Sequence, residues 1–231
     1  DHAAFWASAV LSLHDYLTMQ PIDFTLYLIT DRSQAGGRPL GTVVRQALAG
    51  GVRAVQLREK DLSGLELFAL ATELRSITRE YGARLIINDR PDIALAVGAD
   101  GVHLGVTSLP IVEARRILGA ERLIGYSAHA VEEARQAQMD GADFITFGPV
   151  YDTPSKAAYG APLGLGKLAE AVAGLNIPVF ALGGVKTTSI PDVAACGVTG
   201  IALISAIIAA TDPRSAAAVL LKTLEQHVTH P

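Results

Sequence analysis

The chain has 231 residues and a single cysteine, Cys196, which has no partner for an intramolecular disulfide and sits in no CxxC or zinc-ligand spacing. A small apolar side chain packed on a helix is the simpler account of it. Charge is also scarce. Charged residues make up 18% of the chain, the formal net charge is −4, and no Lys/Arg run creates a local basic patch. Nothing here attracts the phosphate backbone of a nucleic acid, so nucleic-acid binding is not expected. Long apolar runs are missing as well: charged or glycine-rich turns interrupt every apolar stretch before it reaches the ~20 residues of a membrane span. A soluble, cytoplasmic protein with no membrane partner is expected. Finally, no GxGxxG follows the first strand candidate, which weighs against an open dinucleotide-binding sheet.

What the chain does have is apolar mass. Half of its residues are hydrophobic, which suits one compact domain with a large core. Residues 1–20 stand apart. Phe5, Trp6, Val10, Leu11, Leu13 and Leu17 recur at helical spacing, yet there is no basic n-region, and Asp1, His2, His14 and Asp15 intervene. The segment does not read as a signal peptide. An extra helix packed on the main domain, or on a second subunit of a homodimer, is expected there, with a leader before Met19 as the alternative.

From residue 21 to 231 one domain is expected, built from short β-rich runs alternating with helical patterns. Eight strand candidates can be counted: TLYLITD from Thr25, RAVQLR from Arg53, RLIIND from Arg84, GVHLG from Gly101, RLIGYS from Arg122, DFITFG from Asp143, IPVFALGG from Ile177 and GIALIS from Gly200. Each is centred on apolar residues, as strands covered on both faces should be. Between the second and third, Leu62, Leu65, Leu70, Leu74 and Ile77 recur at helical spacing, and Gly82 supplies a stop. The pattern predicts an α/β fold, a (β/α)8 TIM barrel, ahead of a doubly wound open sheet.

In such a barrel the C-terminal ends of the strands share one mouth, so residues far apart in sequence converge. The polar residues falling there are Thr30 and Asp31; Gln56, Arg58, Glu59 and Lys60; Asn88, Asp89 and Arg90; His103; Ser127 and His129; Thr153, Ser155 and Lys156; Gly183 and Gly184; and Ser205. Cations, amides, hydroxyls and a carboxylate together suit a polyphosphate held by Lys/Arg with a hard divalent metal. Taken singly, several have blander explanations. Arg58, Glu59 and Lys60 fit an ordinary charged loop, Asn88 and Asp89 fit a cap for the helix near Pro91, and His103 fits a satisfied core histidine. His129 lies just past the fifth strand, where its imidazole could exchange protons with a ligand. Gly183-Gly184 and the Ile204–Ile207 segment fit the glycine loop and helix start at which barrels commonly bind a phosphate monoester.

From Leu26 to about Ala217 the chain resembles the thiamine phosphate synthase family, through QLREK at 56–60, IINDR at 86–90, GADGVHLG at 98–105, GYSAH at 125–129, FGPVYDTPSK at 147–156, ALGGV at 181–185 and ISAI at 204–207. The resemblance implies an Mg²⁺-dependent transferase. Hydroxymethylpyrimidine diphosphate would lose its diphosphate, and the thiazole nitrogen of hydroxyethylthiazole phosphate would capture the resulting pyrimidine-methyl cation. Carried over residue by residue, Arg58, Lys60 and Lys156 would bind the departing diphosphate and Asp89 would hold Mg²⁺. Gln56, Asn88 and Ser127 would orient the pyrimidine substrate. Thr153, Ser155, Gly184, Ile204 and Ser205 would hold the thiazole phosphate. The chain departs from the family after HLG. It reads Val106, Thr107, Ser108 where the family has Gln, an acidic residue and a second metal-binding Asp. The departure resembles the related thiazole tautomerases, in which a histidine matching His129 transfers the proton. A noncatalytic barrel that binds a thiazole or thiamine phosphate is the third reading.

Overall fold

The computed structural model describes residues 22–153 and 161–228. The helix expected over residues 1–20 lies outside these, as do Ser155 and Lys156. All eight predicted strands form: β1 Leu26–Ile29, β2 Ala54–Leu57, β3 Arg84–Asn88, β4 Gly101–Leu104, β5 Leu123–Ala128, β6 Phe144–Phe147, β7 Val179–Leu182 and β8 Gly200–Leu203. They pair in parallel in chain order and close, with β1 against β8 in the register Leu26–Ile201 to Leu28–Leu203. The α-helices among the described residues are α1 Leu40–Ala49, α2 Gly64–Glu80, α3 Pro91–Val97, α4 Ile111–Leu118, α5 Val131–Met139, α6 Gly164–Ala173, α7 Ile190–Ala194, α8 Ser205–Ile208 and α9 Pro213–His227. None is long and apolar enough to cross a membrane.

Alternation along the strands divides the core in two, because successive side chains point to opposite faces. One set, including Leu26, Leu28, Val55, Leu57, Leu85, Ile87, Val102 and Ile145, packs outward under the helices. The other points into the barrel: Tyr27, Ala54, Ile86, Leu123, Phe144, Phe180 and Ala202, with Phe24 beneath. The four rings of Phe24, Tyr27, Phe144 and Phe180 fill the interior; Phe24 stacks on Phe180 at 5.2 Å, and Tyr27 meets Phe144 edge-on at 5.5 Å. Gly125 is small for a reason. A Cβ there would run into the rings of Phe144 and His103.

Local chemistry sets the helix boundaries. Ser63 and Glu66 form a reciprocal capping box at the start of α2, and Asp212 caps α9 through Ser215. The stripe that α2 buries is Leu67, Ala71, Leu74, Ile77 and Thr78. Leu74 and Ile77 fall on it as the spacing predicts, but Leu65, in the first turn of a helix that begins at Gly64, is 79% exposed. At the opposite end of the barrel one device appears twice. Asp100 accepts from the Leu85 amide and from Arg75, both at 2.7 Å. Asp143 accepts from the Ile124 amide at 2.6 Å and from Arg115 at 2.7 Å. Each carboxylate ties the start of one strand to the next βα unit.

The aromatic plug gives a direct test of where stability resides. Phe144→Ala should cost about 3–5 kcal/mol, through lost burial plus the cavity left among three remaining rings. Urea unfolding at unchanged slope measures it; a loss under roughly 1 kcal/mol would show that the interior rings contribute little beyond filling space.

Candidate active site

The strand alternation that fills the barrel below also carries polar side chains to its top. The uppermost inward positions are Ile29, Gln56, Asn88, His103, Ser127, Thr146, Leu182 and Ile204, so the mouth has a polar side spanning β2 to β6 and an apolar side at β7, β8 and β1. On the polar side a hydrogen-bonded chain crosses the barrel. Gln56 Nε2 donates to Tyr27 Oη at 3.1 Å, and Tyr27 Oη lies 3.3 Å from His103 Nδ1. His103 Nε2 lies 2.9 Å from Ser127 Oγ and 3.3 Å from Thr146 Oγ1, and those two hydroxyls are 3.0 Å apart. Since Tyr27 Oη accepts from Gln56, its own hydrogen points to Nδ1, which makes Nε2 the protonated nitrogen of a neutral His103 and leaves the Ser127 hydrogen available to a neighbour or ligand. Burial pushes the Tyr27 phenol far above its ordinary pKa, so it stays a donor.

His103 is therefore a satisfied core histidine that also orients Ser127. Tyr27 and Thr146 were not among the candidate residues, although reading β1 and β6 with period two places both on the inward face.

The REK segment follows β2. Its middle residue, Glu59, is 6% exposed and holds the adjoining loop together. Its carboxylate accepts from Thr30 Oγ1 at 2.7 Å, from the Arg32 amide at 3.1 Å and from the Arg32 guanidinium at 3.2 Å. Thr30 Oγ1 in turn accepts from the Arg58 amide at 2.9 Å. This is more than an ordinary charged loop: a buried carboxylate fixes the backbone from which Arg58 projects. Half-buried Arg58 is close enough to act on Asp31. Partial burial pushes the Asp31 carboxyl upward, but hydrogen bonds from Ser33 and Gln34 and the charge of Arg58 outweigh it and hold the pKa below the usual range. Lys60 is exposed at the rim.

Asn88 ends β3, and Asp89 follows in a left-handed conformation at φ 62°, rare for a residue with a side chain though tolerated by Asp. The expected capping role is not what Asp89 does. The N-cap of α3 is Arg90, which makes no side-chain cap. Instead the Asp89 carboxylate turns toward the β4 loop, where Ser108 Oγ donates to Oδ1 and the Asn88 amide reaches Oδ2 at 3.4 Å. Ser108 Oγ also accepts from the Gly105 amide at 2.7 Å. Oxygen atoms from Asp89 and Ser108 thus gather at one strand end, both hard donors of the kind Mg²⁺ prefers. Among the described residues no group of three or more His, Cys, Asp or Glu side chains forms a metal cluster.

His129 follows β5. Its amide donates to Glu133 Oε2 at 2.7 Å, and its Nδ1 lies 2.5 Å from the Gly148 carbonyl oxygen. A carbonyl only accepts, so Nδ1 carries the hydrogen of the neutral ring and Nε2 is the basic nitrogen. Glu133 also accepts from Tyr126 Oη at 3.0 Å, and burial, with Glu133 adding to it, pushes that phenol up to about 12.

On the other side of the mouth a cavity of about 690 Å³ is lined by Thr153, Gly183, Gly184, Ile204 and Ser205, among others. Gly183 and Gly184 have φ of 94° and 68°, and a Cβ on either would strike the backbone of the β6 loop at 2.7 Å. Only glycine lets the two loops approach this closely. The structure thus brings Gln56, Arg58, Asn88, Asp89, Ser127 and His129 to one part of the mouth and Thr153, Gly184, Ile204 and Ser205 to another.

Residues 26–207 match the family described as thiamine monophosphate synthase. A protein of Geobacter sulfurreducens with a provisional thiamine-phosphate synthase name is 60% identical over 89% of this chain and 97% of its own length. The thiamine-phosphate synthase of Moorella thermoacetica is 46% identical over 83% of this chain and 91% of its own. Among solved structures, a thiamine phosphate pyrophosphorylase from Pyrococcus furiosus superposes with a TM-score of 0.82 at 39% identity, covering 89% of this chain and 98% of that one.

Glu59 offers a test of how the Arg58 loop is held. In Glu59→Gln an amide nitrogen must face the donors on Arg32, or the charge-assisted bonds weaken. The loss should be about 1.5–3 kcal/mol in urea unfolding. A change under roughly 0.5 kcal/mol, the range of ordinary surface substitutions, would remove Glu59 from this role.

Proposed function

The chain belongs to the thiamine monophosphate synthase family, a family of transferases, and on that premise we propose that it couples hydroxymethylpyrimidine diphosphate with hydroxyethylthiazole phosphate to give thiamine phosphate and pyrophosphate. The observation that carries the reading is the division of the mouth. A polar half with Arg58 and the Asp89 carboxylate suits a diphosphate and its metal, and a separate glycine-lined cavity suits a phosphate monoester. The reaction fits the cytoplasmic location expected from the sequence.

In this reading Arg58 and Lys60, with Lys156 outside the described residues, bind the diphosphate and take up the charge that develops as it leaves. Gln56, Asn88 and Ser127 orient the pyrimidine, with Ser127 donating the hydrogen that His103 leaves free. Thr153, Gly184, Ile204 and Ser205, with Ser155 outside the described residues, hold the thiazole phosphate so that its ring nitrogen faces the reacting methylene. Two anchored substrates need no covalent enzyme intermediate; orientation and electrostatics supply the rate. Asp89 would hold Mg²⁺, which when bound supplies Lewis-acid neutralisation of the diphosphate charge. His129 stands at the rim with Nε2 as its basic nitrogen, the atom a tautomerase would use.

The deciding assay combines the purified chain, both phosphorylated substrates and Mg²⁺, and scores thiamine phosphate. Arg58→Ala and Lys156→Ala should each lower turnover about tenfold or more, since a charge-assisted contact to phosphate contributes roughly 1.5–3 kcal/mol. Chelator-insensitive tautomer conversion that disappears in His129→Ala, with no thiamine phosphate formed, would sink this reading in favour of the isomerase.

Ser108 gives the metal its own test. With one carboxylate at the site, Mg²⁺ should half-saturate at a high concentration, and Ser108→Asp should lower that concentration by adding a charged oxygen ligand. Direct Mg²⁺ titration in the presence of pyrophosphate provides the same comparison without turnover. An unchanged or raised half-saturation in Ser108→Asp would place the metal elsewhere.

A further inference from the structure

Arg38 lies on the loop between β1 and α1, outside the polar residues that line the mouth, and its three nitrogens are all spent on backbone carbonyls. Nε donates to Ala35 at 2.8 Å, Nη2 to Ile208 at 2.8 Å and Nη1 to Ala210 at 2.8 Å. The last two carbonyls belong to the final residue of α8 and to the residue two beyond it, and the start of that helix supplies Ile204 and Ser205 to the cavity wall. One side chain therefore ties the first βα loop of the barrel to the last.

α8 is a single turn. Its own hydrogen bonds include Ile208 N to the Ile204 carbonyl and Ala209 N to the Ser205 carbonyl, both at 3.0 Å. One turn has no stability of its own, because nucleating a helix costs more than its first bonds return. Buried Ile207 and Ile208 anchor its inner side, and Ala210 beyond it is half-buried. The trailing carbonyls would be left to water without a donor, and a guanidinium both satisfies them and places positive charge at the helix end where it is favoured.

We propose that Arg38 is a positioning residue for the phosphate end of the thiazole subsite: by clamping the end of α8 it fixes Ile204 and Ser205 in the geometry that receives a phosphate monoester. The proposal rests on the synthase reading for the identity of the ligand. A general structural role would lower stability and affect both substrates alike. The clamp acts on one wall of one subsite, so its loss acts on the thiazole phosphate alone.

The experiment compares wild type, Arg38→Ala and Arg38→Lys in steady-state kinetics and by calorimetric titration with thiazole phosphate, its dephosphorylated alcohol and inorganic phosphate. In Arg38→Ala the KM for thiazole phosphate should rise about tenfold, the scale of losing charge-assisted bonds, with kcat and the KM for the pyrimidine diphosphate changed less than about twofold. Inorganic phosphate should weaken with it and the alcohol should not. Arg38→Lys, a point charge that cannot span two carbonyls, should fall between the two, and it supplies the test if the alanine variant fails to fold. Equal rises in both KM values, equal weakening of the alcohol, or unaltered binding of phosphate and thiazole phosphate would each overturn the proposal. Absence of thiamine phosphate from the wild type would instead overturn the synthase reading, and the inorganic phosphate titration would still decide whether Arg38 shapes an anion site.

Discussion

Closure of the barrel is the constraint on which everything else depends. Eight four- to six-residue strands leave no unpaired edge once Leu26–Leu28 join Ile201–Leu203, and closure commits alternate residues to an interior too narrow for anything but side chains. The interior must then be both filled and satisfied. Below, four aromatic rings fill it; above, a tyrosine hydroxyl, a histidine and two hydroxyl groups hydrogen-bond to one another. The floor of the mouth is thus rigid by necessity, since each buried polar atom there would cost free energy if its partner moved.

Above that floor, precision comes from contacts between loops. Glu59 and Thr30 join the β1 and β2 loops, Ser108 and Asp89 join β3 and β4, His129 and Gly148 join β5 and β6, and Arg38 joins β1 to the segment after β8. Neighbouring strand ends are thereby linked in pairs around the rim. A loop in isolation would sample many conformations; a loop whose buried carboxylate or guanidinium must find several fixed partners samples few.

Much of this was legible in the sequence because closed parallel barrels leave strong marks. Short, largely apolar runs at regular intervals marked the eight strands, and polar residues at and after their ends marked the mouth. The separation of a cation-bearing part of the mouth from a glycine-lined part was likewise readable from where those residues fall. What was not legible depended on which neighbours face one another across the rim. A polar pair before Pro91 looks like a cap, yet Asp89 turns to Ser108 because the left-handed backbone aims its carboxylate at the β4 loop. Glu59 looks like one charge among three until Thr30 and the Arg32 amide are seen around it. Tyr27 and Thr146 were hidden by their apolar settings, LYLI and FITF, though strict alternation marks both as inward.

The backbone at Asp89 separates shape from charge. A left-handed residue accepts glycine or asparagine with little strain but penalises most other side chains. Sequence drift at this position is therefore channelled toward the two replacements that preserve the loop and erase the carboxylate. A lineage that no longer needs the charge can lose it in one step and keep its barrel, leaving a stable descendant free to take up another ligand or to persist as an inert fold. With asparagine, whose amide oxygen still accepts from Ser108, selection on folding registers little of that step.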